Sequence, residues 1–531
     1  MANEDIEFDV IVIGAGINGA GIARDAAIRG LSVLLVDKGD IGGGTSSWST
    51  RLIHGGLRYL EHGELALVRE SLREREALLK VAPHLVRPLR LLLPVYKNAR
   101  RGLWTIRAGM LAYDALSLNK SLPKHRMLSR AQTLREVPAL EPEGLLGAAV
   151  YSDAQVEFAE RLVLENVLSA VEHGATVTTY ARVDKLMVKN QKVCGIEFTN
   201  DRGGETRFAR GTIVINAAGP WVDRVLKSDS GNSPRLIGGT KGSHIVVGPF
   251  AGAADTAIYV EAETDGRPFF IIPWDNKYLI GTTDIRYEGD LDQVRIESDE
   301  IDYLLHETNR VMPSAKLTRE QILFAYSGVR PLPFTTDADE QRITRRHFIR
   351  PHPKRDNLFS IVGGKLTTYR SLAEQAVDAV FMKLGRTPPE CKTDRDPLPG
   401  AATPDFDAFD RDFKQRSPLS AATNDRLLRI YGTRAALIAG VIHEDQSLAE
   451  VIDDETGAIA AEVLFAFKHE MAKTLSDCMF RRTMVGFNST CGLNAVDAAA
   501  ATAQKYLGWS DERVRCEIAE HQNEVLRFQA R

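Results

Sequence analysis

Gly14, Gly16 and Gly19, followed by Asp37, are the residues whose types and spacing most directly specify chemistry: they suit the pyrophosphate of a dinucleotide. Gly14 permits a tight turn, Gly16 lets the pyrophosphate reach the backbone, and Gly19 lets the next helix pack closely on its strand. That helix directs its unpaired N–H groups and positive dipole end at the phosphates. Asp37 suits a ribose 2′-OH, which argues against a 2′-phosphorylated cofactor. Thr212 to Trp221 is a second informative run, an apolar strand that breaks into Ala217, Ala218 and Gly219 so that backbone can approach a large ligand. Alone it reads as a strand-to-helix corner; beside the glycine fingerprint it suggests a second contact on the same dinucleotide. In a third run, Ile361 to Arg370, Gly363 and Gly364 precede a helix start where Thr367 and Thr368 can bond local N–H groups. A helix start aimed at a ring carbonyl stabilises negative charge there, which a reduced flavin develops and a nicotinamide does not. A glycine-rich turn with a capped helix explains the same residues equally well. Gly42 to Tyr59, rich in glycine and hydroxyls, offers backbone donors to phosphate or an isoalloxazine ring, and His54, Arg58 and Tyr59 argue against a plain polar loop.

The elements that position these residues follow from patterning. Val10–Ile13 is an apolar run feeding the glycine loop, and Val33–Val36 is a second one ending at Asp37. Glu64 to Leu79 predicts an amphipathic helix with Leu65, Val68, Leu72 and Leu79 on one face. Glu160 to His173 predicts another, stopped by Gly174. Strands are expected at Thr176–Tyr180 and Thr212–Ile215, with Val193–Phe198 and the turn Asn200–Gly204 as an antiparallel excursion between them. His244–Val247, Phe269–Ile272 and Tyr278–Ile280, punctuated by Trp274-Asp275-Asn276, predict an antiparallel sheet distinct from the nucleotide-binding one. Prolines crowd 388–404 and predict a linker, beyond which Asn424–Arg531 carries helical patterns.

At 531 residues, 44% hydrophobic and 26% charged, the chain has an ordinary globular composition and length for two or three domains. A net charge of -4 leaves no global nucleic-acid footprint. Cys194, Cys391, Cys478, Cys491 and Cys516 lack zinc-type spacing and read as thiols in a reducing compartment, with no metal site. The acidic N-terminus runs into the first strand without room for a secretory signal. No apolar run approaches the roughly 18 residues of a spanning helix, so the chain is expected in the cytoplasm or on a membrane surface. From Ala77 to Tyr113 there is no Asp or Glu, while Lys80, Arg87, Arg90, Lys97, Arg100, Arg101 and Arg107 sit among leucines and Trp104. Leu103, Ile106 and Met110 recur at helical spacing. Two readings stay open: a helix lying on an anionic membrane, or a core-packing helix with a solvated basic face.

Several longer motifs carry a family resemblance: Gly14–Gly21, Thr45-Ser46-Ser47, Leu52–His62, Gly242–Val247, Ile280–Asp284, Tyr326–Pro331 and Gly363–Arg370. They resemble those of respiratory, FAD-dependent glycerol-3-phosphate dehydrogenases, within the D-amino-acid-oxidase-like flavoproteins, over about residues 8 to 375 and more weakly beyond. The His54-Gly-Gly-Leu-Arg-Tyr59 and Gly363-Gly-Lys-Leu-Thr-Thr-Tyr-Arg370 pair is far more specific than the fingerprint. The resemblance implies an α/β fold: a Rossmann-like FAD-binding domain, an interleaved antiparallel-sheet substrate domain and a helical C-terminal domain. The expected division is 1–90, 151–238 and 346–386 for the FAD-binding domain, 91–150 for a substrate- and membrane-facing segment, 239–345 for the substrate domain, 387–405 for a linker and 406–531 for the helical domain.

The implied reaction takes sn-glycerol 3-phosphate to dihydroxyacetone phosphate, with electrons passing to non-covalent FAD and then to a membrane quinone, on the cytoplasmic side of the inner membrane. Implied FAD contacts are Gly14, Gly16, Asn18, Gly19, Asp37, Lys38, Thr45, Ser46, Ser47, His54, Gly55, Gly56, Val183, Ala218, Gly219, Trp221, Gly363, Gly364, Leu366 and Thr367. Arg58, Arg330, Arg345 and Lys365 are the implied phosphate cations, since arginine meets phosphate through a planar two-pronged contact. A basic residue between Val329 and Pro331 is an unusual choice for a solvated turn, which favours Arg330. His244 is the first choice of base and His54 a lesser one. Lys365 holds either the alkoxide or the phosphate, and Tyr59 either bonds substrate or walls the pocket. Three rival readings remain: an oxygen-using oxidase on the same substrate, an amine or amino-acid oxidase, and a flavin-binding regulator without turnover. The C-terminal helices either pair two copies of the chain or cover the nucleotide domain.

Overall fold

The structure, a computed structural model, describes residues 7–61, 63–117, 120–230, 234–335 and 344–530. Its first sheet grows from the fingerprint. Glu7–Ile13 pairs in parallel with Val33–Val36 on one side and Thr206–Asn216 on the other; Thr176–Thr178 and Arg355–Val362 extend it, also in parallel. Strands of this kind are buried on both faces, which is why Val10 to Ile13 and Val33 to Val36 read as continuous apolar runs. The expected excursion is present as the hairpin Ala181–Lys189 and Lys192–Asn200, added antiparallel to Thr206–Asn216.

The second sheet has ten strands among the described residues. Thr240–Val247 lies between Lys277–Gly281 and Ile322–Arg330, and Pro268–Trp274, Ala257–Glu261, Val86–Tyr96 and Leu145–Val156 follow outward. All these pairs are antiparallel except Ala257–Glu261 with Val86–Tyr96. The strands of that pair come from segments separated by an excursion through the first sheet, so no hairpin dictates their direction. The expected boundaries at 90 and 150 fall inside Val86–Tyr96 and Leu145–Val156. Basic and apolar composition marked that segment, but cross-strand pairing with distant residues assigns it to the second sheet.

Two local expectations need correction. The helix Leu65–Val81 forms, but Leu65 is exposed and Leu79 only half-buried; Leu67, Val68, Leu72 and Leu78 face inward. Its buried side also carries Glu74 and Arg75, paired with Arg370 and Asp153, and these ion pairs turn the face away from the purely apolar stripe. The proline-rich stretch is a packed strap rather than a linker. Leu398 is fully buried with its N–H on Val81 O, and Arg24 donates to Asp396. Proline stiffened the segment, and its neighbours found buried partners.

The C-terminal helices dock on the nucleotide-binding domain. Arg482 grips Asp40 with both Nη atoms at 2.8 Å, Arg161 meets Glu470 at 2.6 Å, and Tyr180 donates to Asp477 at 2.6 Å. Phe528 lies against Trp48, ring centroids 5.2 Å apart. Removing one partner of such a buried pair would leave an uncompensated charge at a cost of about 3–5 kcal/mol, so these contacts fix how the domain sits on its neighbour. The helix Leu103–Leu116 buries Ile106, Met110 and Tyr113, as the core-packing reading expected. Its outer face exposes Leu111 and 79% of Trp104, with Arg107 against the indole. Among the described residues no helix is long and apolar enough to cross a membrane.

Candidate active site

Residues of both sheets line a cleft of about 1690 Å³. Sites for one small molecule commonly hold about 300–1,000 Å³, so this one has room for a dinucleotide and a second molecule. At one end the first strand stops at Gly14, whose φ of +106° and distance of 2.7 Å from a built Cβ to Ala217 O exclude a side chain; a Cβ at Gly19 would come within 1.8 Å of Gly14 O. The helix Ile17–Ile28 has no side-chain cap at Gly16; Ser46 Oγ accepts the Ile17 N–H at 2.9 Å instead. Asn18 reaches Gly363 O at 3.4 Å, and its buried Oδ1 has no hydrogen-bond partner among the described residues. Asp37 accepts the N–H groups of Ala15 and Gly39 at 2.6 and 2.8 Å, so it braces the glycine loop while facing the cleft. Lys38, Thr45, Val183, Ala218, Gly219 and Trp221 also line this end, with Lys38 and the Trp221 indole both bonded to Asp292.

Three expected cofactor contacts do not line the cleft. Gly19 packs on Gly14, the Ser47 hydroxyl donates to Gly42 O, and the Gly55 N–H faces Tyr113 and Asp153. Each serves the shape of the loop rather than the space beside it. Thr368 likewise makes no side-chain cap at the helix Tyr369–Lys383. Thr367 Oγ1 instead accepts the His54 N–H at 3.2 Å, which ties the two glycine-rich loops together.

The other end gathers the titratable groups. His54, Gly56, Tyr59, His244, Arg330, Arg345, Gly363, Gly364, Lys365, Leu366 and Thr367 all line it. His244 is 1% exposed, with Nε2 2.9 Å from Thr50 Oγ1 and Nδ1 without a partner among the described residues. Burial, then the positive charge of Arg330 and Arg51, holds its imidazole well below the usual range and therefore neutral. Burial also pushes His54 down to about 4. The Lys365 ammonium sits 3.8 Å over the Tyr59 ring and 3.3 Å from Ser71 Oγ. Burial outweighs Glu70 and Glu64 and, with Arg345 adding to it, pushes that ammonium down to about 7. Arg330 and Arg345, two of the expected phosphate cations, are both paired with Asp284, at 2.9 and 3.0 Å. The side chain of Arg58 lies outside the described residues.

Sequence reasoning gave no role to Arg267, Asp284, Thr50 or the stacked pair Tyr259–Phe270, all of which line this end. Asp284 stood in a motif that carried the resemblance, but Arg267 sits on a turn with no local signal. Glu524 and Arg527 line the cleft as well, and nothing in a helical tail's periodicity shows that its end faces a ligand. The site thus offers a neutral imidazole, an ammonium near its titration point and paired guanidiniums beside a dinucleotide cradle. Such groups can orient an anionic molecule and take a proton from its hydroxyl.

Residues 9–370 match the family model of FAD dependent oxidoreductases, and residues 391–514 match the C-terminal domain of alpha-glycerophosphate oxidase. The chain is 49% identical to a glycerol-3-phosphate dehydrogenase of Synechocystis, covering 98% of this chain and 96% of the relative. It is 39% identical to a D-erythritol 1-phosphate dehydrogenase of Brucella abortus, covering 90% and 94%. Among solved structures, the glycerol-3-phosphate dehydrogenase of Bacillus halodurans complexed with FAD superposes with a TM-score of 0.80 at 30% identity, covering 98% of this chain and 95% of that one.

Proposed function

The chain belongs to the FAD-dependent oxidoreductases and carries the C-terminal domain of alpha-glycerophosphate oxidase, and from that premise we propose that it oxidises sn-glycerol 3-phosphate at C2 to dihydroxyacetone phosphate, with electrons passing through FAD to a membrane quinone. The observation that carries this reading is the meeting of a neutral His244 with Lys365 and the Arg330–Asp284–Arg345 group at one end of the cleft. The cleft fits FAD on its own features. Gly14, whose Cβ would strike the Ala217 backbone, keeps the phosphate-binding turn tight, and the buried Asn18 Oδ1 has no hydrogen-bond partner among the described residues. Gly14, Gly16, Asn18, Ser46, Asp37 and Val183 would hold the dinucleotide, and Gly363 to Thr367 its ring. When bound, FAD accepts the hydride from C2.

The chain's own residues do the rest. Arg330, Arg345 and Lys365 bind the phosphate and fix the position of C2. His244 takes the hydroxyl proton, its ring oriented by the hydrogen bond between Nε2 and the Thr50 hydroxyl. Burial is the main reason the imidazole is a weak base, and a dianion beside Arg330 offsets the smaller part that comes from the arginines' positive charge. Lys365, close to its titration point, holds the phosphate or the developing alkoxide.

The decisive measurement is the visible spectrum of the purified protein under argon. Glycerol 3-phosphate is expected to bleach the flavin, whereas glycerol and free amino acids leave it oxidised. A preparation that stays colourless after saturation with FAD, or a flavin that no phosphorylated polyol bleaches, would end the reading. Faster bleaching by D-erythritol 1-phosphate would transfer it to the longer substrate.

The reading of a membrane partner, and with it a quinone acceptor, is supported by the outer face of Leu103–Leu116, where Trp104, Leu111 and Arg107 form an apolar and basic surface. This surface supports a peripheral location on the cytoplasmic face of the inner membrane. Liposomes with anionic lipid are expected to retain the protein, and Trp104→Ser with Leu111→Ser to lower retention by about tenfold or more, given the apolar area withdrawn. Dye-linked activity should not change. Absence of retention by the unaltered protein would sink the membrane assignment.

A further inference from the structure

We propose that Asp284 is the positioning residue of the anion subsite, holding Arg330 and Arg345 in the geometry that receives a phosphomonoester; this rests on the reading above. Asp284 ends the turn after the strand Lys277–Gly281 and is 8% exposed. Its Oδ1 accepts from Arg330 Nη1 at 2.9 Å and its Oδ2 from Arg345 Nη2 at 3.0 Å, so one carboxylate divides itself between two guanidiniums. Arg267 donates to the Asp284 backbone carbonyl from the third side. All four residues line the cleft.

The rest of the turn completes the mounting of Arg330. Its Nη2 reaches Thr282 Oγ1 at 3.0 Å and Thr283 O at 3.3 Å. Across the strand, a Cβ at Gly242 would sit 2.2 Å from the same Nη2, so the glycine of Gly242-Ser-His is the space in which the guanidinium lies flat. Burial opposes its ionisation, but Arg330 and Arg345, with Thr240 and Arg267, together hold the carboxyl below its usual range.

Charge explains the arrangement. Two bare guanidiniums facing one cleft repel each other strongly at low dielectric. A carboxylate between them removes that repulsion and still leaves one positive charge. Arg267 is offset by Asp265 at 3.5 Å. Lys365, when protonated, supplies a further positive charge toward a phosphomonoester, with Glu64 and Glu70 nearby. Without Asp284 the arginines would keep their charge and lose their direction, so binding should suffer more than the chemical step.

The test uses full-length, FAD-loaded Asp284→Asn. The KM for glycerol 3-phosphate is expected to rise about 100-fold, the loss typical of removing one partner of a buried charged pair. Flavin reduction at saturating substrate should stay within about fivefold of the unaltered rate, the signature of lost uniform binding. Asp284→Glu keeps the charge and displaces it by one methylene, so its KM should lie between the two, with kcat retained. An unchanged KM in either variant, or a fall in kcat without a rise in KM, overturns the proposal. If Asp284→Asn fails to retain flavin, Asp284→Glu alone decides by the same criterion. Inorganic sulfate titrated against the flavin spectrum separates this inference from the functional reading. If no phosphorylated polyol reduces the unaltered enzyme, that reading fails, yet weaker sulfate binding by Asp284→Asn still supports the positioning role and equal binding defeats it.

Discussion

His244→Asn should slow flavin reduction by about 10³-fold at saturating glycerol 3-phosphate, within the range that general bases contribute, while the substrate's dissociation constant changes little. The asymmetry follows from where the imidazole stands. It is buried, neutral, bonded at Nε2 to Thr50 and, among the described residues, without a partner at Nδ1. Asparagine can keep a polar contact to Thr50 but cannot take the hydroxyl proton. Because the ring's titration lies well below the usual histidine range, its protonation should place no acid limb near neutrality. A single-turnover rate equal to the unaltered enzyme's would remove His244 from the base role and return attention to His54, which lines the same end and is also neutral, its pKa pushed down to about 4.

The second large effect concerns Lys365. With its ammonium pushed down to about 7, the free enzyme loses this cation as pH rises through neutrality. Only the protonated form attracts an anion, so kcat/KM, which reports groups of the free enzyme and free substrate, should fall on the alkaline side. On the acid side a phosphomonoester becomes dianionic above about pH 6, so the same quantity should rise there. The two limbs give a narrow bell between them. Lys365→Met should cost about 100-fold in kcat/KM at pH 7 and abolish the alkaline limb, since a charged contact to phosphate is lost. Lys365→Arg stays charged at any accessible pH, so it should flatten that limb while keeping more of the activity. Persistence of the limb in Lys365→Met would assign it to another group and withdraw the phosphate role.

What could be read from the linear chain was whatever depends on neighbours in sequence. Gly14, Gly16 and Gly19 announced a turn and a helix start because their constraint is local, and the apolar runs beside them announced buried parallel strands. Glycine-rich runs around His54 and Gly363 were visible for the same reason, and a family resemblance carried His244, Arg330 and Lys365 to the site. The proline-rich strap, by contrast, looked like a spacer because the partners that bury it, Arg24 and Val81, lie hundreds of residues away. Leu65 looked buried until Glu74 and Arg75 claimed the inner face through ion pairs with Arg370 and Asp153.

The sequence by itself determined a dinucleotide cradle, two sheets of different character and a helical tail, since periodicity and turn chemistry act over a few residues. Only the tertiary structure decided that the tail covers the cradle through Asp40 and Arg482, that two expected phosphate cations share one carboxylate, and that the basic helix buries one face while exposing Trp104. Those outcomes depend on charge pairing and burial between residues far apart along the chain, and such energies have no expression until the chain has closed on itself.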